Sequence, residues 1–175
     1  MKKPTVLIIA LMVLLQACQS QGHHLAVGDT LPLFTLLSQD GKPFTVADHV
    51  GKNVLVIYFY PKDESAVCTK EACAFRDSYE AFTKAGAVVV GINDAPVETH
   101  LKFTQNHQLP FYILSDPGNK VMRLFGVPKK LVFTGRETFV VGLNGKVLYV
   151  YNSFLEGKAH ADNALKFIQS LQPGQ

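Results

Sequence analysis

No stretch of this 175-residue chain is apolar for long enough to cross a bilayer. The run from Val6 to Leu15 holds ten residues, where a spanning helix needs about 20. Excess charge is equally scarce. The 17 Lys and Arg face 14 Asp and Glu, so nothing implies a basic face for nucleic acid. Internal repeats and low-complexity segments are absent, and the length suits one domain with a full core. Cysteine is limited to Cys18, Cys68 and Cys73, and no two of them stand in a Cys-x2-Cys spacing. Three is an awkward number for an oxidising compartment, because one thiol would be left over.

The N-terminus accounts for that extra cysteine. Lys2 and Lys3 precede the short apolar run, which ends at Leu15-Gln16-Ala17-Cys18. This resembles a bacterial lipoprotein signal, in which the cysteine takes the lipid and becomes the mature N-terminus. The resulting expectation is a signal peptide over 1–17, a flexible tether over 18–25 and a single domain over 26–175. Removal of Lys2 and Lys3 leaves a charge balance close to neutral. With Cys18 lipidated, the protein is expected to be exported and membrane-anchored, facing the periplasm. Ser20 is not the aspartate that retains such proteins in the inner membrane, so the outer membrane is the expected address in a Gram-negative host. His23 and His24 read as part of the solvated tether, since two histidines alone make a poor metal site.

Within the domain, Phe34–Leu37 and Phe44–Val46 flank Asp40-Gly41, a hairpin signal. Val54–Tyr60 is β-branched, aromatic and almost free of polar atoms, the pattern of a strand buried on both faces. A helical pattern follows from Cys68 to Lys84. Ala72, Phe75, Tyr79 and Phe82 form its apolar stripe, and Lys70, Glu71, Arg76, Asp77 and Glu80 fill the other side. Ala87–Asn93 is a second buried strand, and the three elements make a parallel crossover unit. Val97–Asn106 reads as a helix with Leu101 and Phe103 inward, and Phe111–Leu114 as a third strand. A short helix, Lys120–Phe125, comes next. Thr138–Val141 and Val147–Tyr151 surround Asn144-Gly145, a strong hairpin signal. A final helix, Ala161–Leu171, carries Ala161, Leu165, Ile168 and Leu171 on one stripe. The order gives an α/β protein with a thioredoxin-like fold: a central mixed β-sheet flanked by helices, with an added N-terminal β-hairpin.

Cys68 stands where the buried strand gives way to the helix. The first turn of a helix presents unpaired N–H groups and the positive end of the macrodipole, which favour an anion such as a thiolate. The competing reading is a small buried hydrophobe.

The segment from Tyr60 to Cys73 resembles the active-site loop of the peroxiredoxins. Its Cys-x4-Cys spacing around Lys70-Glu71-Ala72 is similar to the peroxiredoxin Q, or bacterioferritin comigratory protein, subfamily. The family pattern Pro-x3-Thr/Ser-x2-Cys is met by Pro61, Ser65 and Cys68, and an arginine opening a later strand is met by Arg136. Where the family commonly has Pro-Gly before the nucleophile, this chain has Ala66-Val67. The resemblance implies a thiol peroxidase that reduces hydrogen peroxide and organic hydroperoxides without metal or cofactor. Cys68 would be the attacking thiol and Cys73 the resolving one, joined as an intramolecular disulfide in a monomer. A thioredoxin-like protein would return the pair to thiols. Arg136 would favour the thiolate and hold the peroxide, Ser65 would hydrogen-bond it, and the N–H of Val67 would add a donor. Pro61 would shield the loop. Each has a plainer reading: a surface ion pair for Arg136, a helix cap for Ser65, a strand terminator for Pro61, an inert core thiol for Cys73.

Two other functions sit on the same fold. A thiol-disulfide exchange protein would need Cys-x2-Cys to set its redox poise. A Sco-like copper carrier would use Cys-x3-Cys with a distant histidine, for which His100, His107 and His160 are available.

Overall fold

The computed structural model describes residues 23–129 and 135–171. Seven strands form one sheet, in the order β2-β1-β5-β4-β3-β6-β7. The N-terminal hairpin, β1 (Thr35–Ser38) and β2 (Pro43–Thr45), pairs antiparallel as the Asp40-Gly41 signal predicts. It also joins the main sheet, because β1 pairs antiparallel with β5 (Tyr112–Ser115). At the centre, β3 (Val54–Phe59), β4 (Ala87–Asn93) and β5 run parallel. On the far side, β6 (Glu137–Val141) and β7 (Val147–Asn152) add antiparallel to β3. The mixed thioredoxin-like sheet expected from the sequence is therefore present.

The continuous apolar run of β3 is explained by its two covered faces. Leu55, Ile57 and Phe59 join one core with Phe125 and Phe139, while Val56, Tyr58 and Tyr60 join the other with Cys68, Phe75 and Phe103. Strand side chains alternate between faces, so a strand buried on both shows no polar position. Four helices take the second face: α1 (Ala66–Asp77), α2 (Tyr79–Lys84), α3 (Val97–His107) and α5 (Gly157–Ser170). The short α4 (Lys120–Leu124) packs on the first.

The single helix expected over Cys68–Lys84 is two. Ser78 leaves helical geometry at φ −101°, ψ 4°, ending α1 and beginning α2. The start of α1 also moves back to Ala66, which makes Cys68 its third residue. Helix α3 is rotated from expectation: Phe103 and His100 are buried, whereas Leu101 is 40 % exposed. In α5, Ala161, Ala164 and Ile168 face the core, and Leu171 lies beyond the helix and is exposed. Gly91 in β4 makes room for Tyr58, since a Cβ there would lie 2.6 Å from its ring. The space lets Tyr58 stack on Phe75 of α1 at 4.5 Å between ring centroids. Thus the strand fixes the helix that carries Cys68.

Within the stretch expected as a tether, His24 bonds the buried Glu137 at 3.0 Å and Leu25 enters the core. The expected signal peptide and Cys18 lie outside the described residues.

Candidate active site

Strand β3 ends at Phe59, and the chain turns through Pro61 to Ser65 before entering α1. Ser65 occupies the cap position in extended geometry, but its hydroxyl donates to the Lys62 carbonyl at 3.1 Å and accepts no bond from a helical N–H. The helix is opened by backbone alone, with the Thr69 N–H on the Ser65 carbonyl at 2.8 Å. Cys68 is 1 % exposed and stands in the first turn of α1, among the N–H groups that lack an intrahelical partner.

Arg136 immediately precedes β6, which pairs with β3, and this pairing brings it over the start of α1. Its NH2 group donates to Cys68 Sγ at 3.1 Å, its Nε to the Phe154 carbonyl at 3.1 Å, and its NH1 to Glu71 Oε2. At 3 % exposure, the guanidinium is no surface ion pair. A buried cation needs such partners to offset its desolvation.

The sequence pattern assigned Glu71 to solvent, yet it is fully buried. It stands one helical turn after Cys68, so both project to the same side, and that spacing was the available signal. Burial pushes its carboxyl up to about 8 against the pull of Arg136. Deeper in the same cluster, His160 Nε2 donates to the Ser153 carbonyl at 2.8 Å, leaving Nδ1 to accept from the Thr138 hydroxyl at 2.8 Å. Burial drives this imidazole down to about 4, so it is neutral at pH 7.

A cavity of about 270 Å³ opens over the thiol, lined by Pro61, Ser65, Val67, Cys68, Arg136 and Leu155 among others. Pro61, Ser65, Val67, Cys68 and Arg136, all expected from the sequence, thus converge on one space. Phe154 and Leu155, absent from that expectation, form its apolar lip. Cys73 is a half-buried free thiol on α1, away from this lining. Residues five apart in a helix have Cα atoms roughly 8.5 Å from each other, beyond the ~7 Å a disulfide tolerates.

The three histidines considered for copper are engaged elsewhere: His100 with Asp63, His107 with Glu64, and His160 with Thr138. Among the described residues no group of three or more His, Cys, Asp or Glu side chains could hold a metal ion.

The chain is similar to known proteins in both sequence and fold. Residues 27–150 match the AhpC/TSA family. Chloroplastic peroxiredoxin Q of Sedum lineare is 52 % identical over 147 residues, covering 83 % of this chain and 78 % of that protein. Among solved structures, the peroxidoxin BcpB of Mycobacterium tuberculosis superposes with a TM-score of 0.80 at 35 % identity, over 86 % of this chain and all of that one. The bacterioferritin comigratory protein of Xanthomonas campestris, whose structures concern alkyl peroxide reduction, gives 0.74 at 30 % identity, over 82 % and 99 %.

These relatives overturn the expected location. Several are named as chloroplastic proteins, not as periplasmic or outer-membrane lipoproteins, and no helix among the described residues is long and apolar enough to cross a membrane. A cysteine after a short apolar leader is a weak address, since targeting segments are read from composition over few residues. The chain belongs to the AhpC/TSA family, in its peroxiredoxin Q and bacterioferritin comigratory protein branch, and is a thiol-dependent peroxidase.

Proposed function

We propose that Cys68 is the thiol that attacks peroxide and that Cys73 resolves the product. The observation that carries this reading is the Arg136 guanidinium 3.1 Å from a cysteine at a helix N-terminus, beneath an open cavity. The Cys68 thiolate attacks one peroxide oxygen. The O–O bond breaks, and the other oxygen leaves as an alkoxide or hydroxide that takes up a proton. Charge builds at both ends of this transition state, so preorganised donors are the main source of rate. Arg136 supplies a fixed positive charge, Ser65 a hydroxyl and Val67 a backbone N–H. Burial raises the Glu71 carboxyl, to about 8, which weakens its opposition to that charge near neutral pH.

Cys68 then carries a sulfenic acid. Attack by the Cys73 sulfur on the Cys68 sulfur expels water and leaves a disulfide. The disulfide forms within one chain, and the cycle closes in a monomer. A thioredoxin-like dithiol reduces the disulfide by exchange and is itself oxidised. The apolar lip of Val67, Phe154 and Leu155 favours hydroperoxides that carry an alkyl chain, and the alkyl peroxide reduction of the Xanthomonas relative supports this.

Steady-state peroxide consumption with a thioredoxin system tests the assignment. Cys68→Ser is expected to abolish turnover, and Cys73→Ser to allow a single turnover. Retained turnover in Cys68→Ser would refute it.

A further inference from the structure

Between Pro61 and Ser65 lies a carboxylate that the reaction does not touch. Asp63 is 4 % exposed and accepts three hydrogen bonds. Oδ1 receives the Tyr60 hydroxyl and the Asn93 amide, each at 2.7 Å, and Oδ2 receives His100 Nδ1 at 2.8 Å. The donors come from three separate places: the end of β3, the end of β4 and the second turn of α3. Burial alone would raise this carboxyl, but the bonds, led by that from His100, hold it below the usual carboxylate range.

His100 is fully buried, and its Nε2 has no hydrogen-bond partner among the described residues. Its polar chemistry is committed to Asp63 alone. The next residue, Glu64, adopts a left-handed φ of 59°, uncommon for a side chain with a Cβ. Its carboxylate in turn accepts from Asn106 Nδ2 at 2.9 Å and His107 Nε2 at 2.8 Å. Two consecutive acidic residues therefore pin a strained turn onto α3. Strain of this kind persists only where surrounding contacts over-determine it. The turn ends at Ser65, two residues beyond Asp63, and both Pro61 and Ser65 line the cavity over Cys68.

We propose that Asp63, held by His100, is a positioning residue for peroxide reduction, fixing the turn that carries Pro61 and Ser65 over the thiol. This rests on Cys68 being the attacking thiol. Neither side chain lines the cavity, so the effect passes through the turn. A shift of the order of 1 Å at the reacting centre can cost about 100-fold in rate.

The test uses the full chain, reduced, with two rates measured for each variant. One is the second-order rate constant for Cys68 with hydrogen peroxide by stopped flow. The other is alkylation of Cys68 by iodoacetamide, which needs the thiolate but not the peroxide geometry. Asp63→Ala and His100→Leu are expected to slow the peroxide reaction about 10- to 100-fold while alkylation changes little. His100→Asn places an amide N–H where Nδ1 stood and is expected to recover most of the loss. Near-UV circular dichroism establishes that each variant is folded, and His100→Leu with His100→Asn carries the test if Asp63→Ala is not. The proposal is overturned if folded His100→Leu keeps its peroxide rate, if both rates fall in parallel, or if His100→Asn is no better than His100→Leu. Lack of any peroxide reaction at Cys68 in the unsubstituted protein would instead refute the functional reading, before a variant is made.

Discussion

Replacing Gly157 with alanine is expected to lower both stability and activity, although alanine is the better helix former. Gly157 is the first residue of α5, where that helix meets α1. A Cβ at this position would lie 2.5 Å from the Val67 carbonyl oxygen, 3.1 Å from Glu71 Cβ and 3.2 Å from Val67 Cγ1. The nearest of these atoms is backbone in the first turn of the active-site helix, so no side chain can swing aside. Restoring ordinary contact near 3.5 Å requires the two helices to part by roughly 1 Å. Overpacking of this kind costs about 1–3 kcal/mol, against a helix-propensity gain of at most ~1 kcal/mol. Destabilisation wins. At roughly 2–4 °C per kcal/mol for a protein of this size, Tm should fall by several degrees. The displaced atoms adjoin Cys68, whose contact with Arg136 is 3.1 Å. The peroxide rate constant should therefore drop by about 10- to 100-fold. Calorimetry and stopped-flow kinetics on Gly157→Ala measure the two effects. A variant with unchanged or raised Tm and an unchanged rate would refute the argument.

Two further outcomes follow from the same cluster. His160 is held down to about 4 by burial, so the unfolded chain binds a proton that the folded one refuses. Its contribution to stability is whole above pH 6.5 and is lost as pH falls towards 4, about 3 kcal/mol in all at ~1.4 kcal/mol per pH unit. Urea midpoints at pH 7 and pH 4 should differ less in His160→Gln than in the unsubstituted protein, and an equal difference would contradict the assignment. Oxidation should also unwind the first turns of α1, because an intact helix cannot bridge Cys68 and Cys73. Amides of Thr69 to Ala72 should then exchange faster with deuterium. The opening should stop before Phe75, which is fully buried against Tyr58 and whose exposure would cost about 1.5–3 kcal/mol. Equal exchange in both redox states would refute the unwinding.

The strands were the most legible part of this chain. Val54–Tyr60 and Ala87–Ile92 are apolar without interruption and rich in β-branched residues, the pattern of a strand covered on both faces. Cys68 and Arg136 were legible as well, through spacing that a family motif shares. Glu71 was not, because helical periodicity around Ala72 and Phe75 sends a charged residue outward. Its burial depends on Arg136, 65 residues away, which no local window contains. His100 was hidden for the same reason: Asp63, which makes its burial tolerable, is 37 residues distant. The early start of α5 was masked by Gly157, a poor helix former placed there by its close approach to Val67.

Central to the reaction is which sulfur peroxide meets first and which closes the cycle. Lys70 lies between the two cysteines, so trypsin cleaves them into separate peptides and a bond between them is visible by mass. Reduced protein is treated with one equivalent of peroxide, digested and mapped, beside a Cys73→Ser variant trapped with dimedone. The expected result is a Cys68–Cys73 linked peptide pair from protein that runs as a monomer on a non-reducing gel, and a dimedone adduct on Cys68 in the variant. Oxidation of Cys73 with Cys68 still a free thiol would contradict the account.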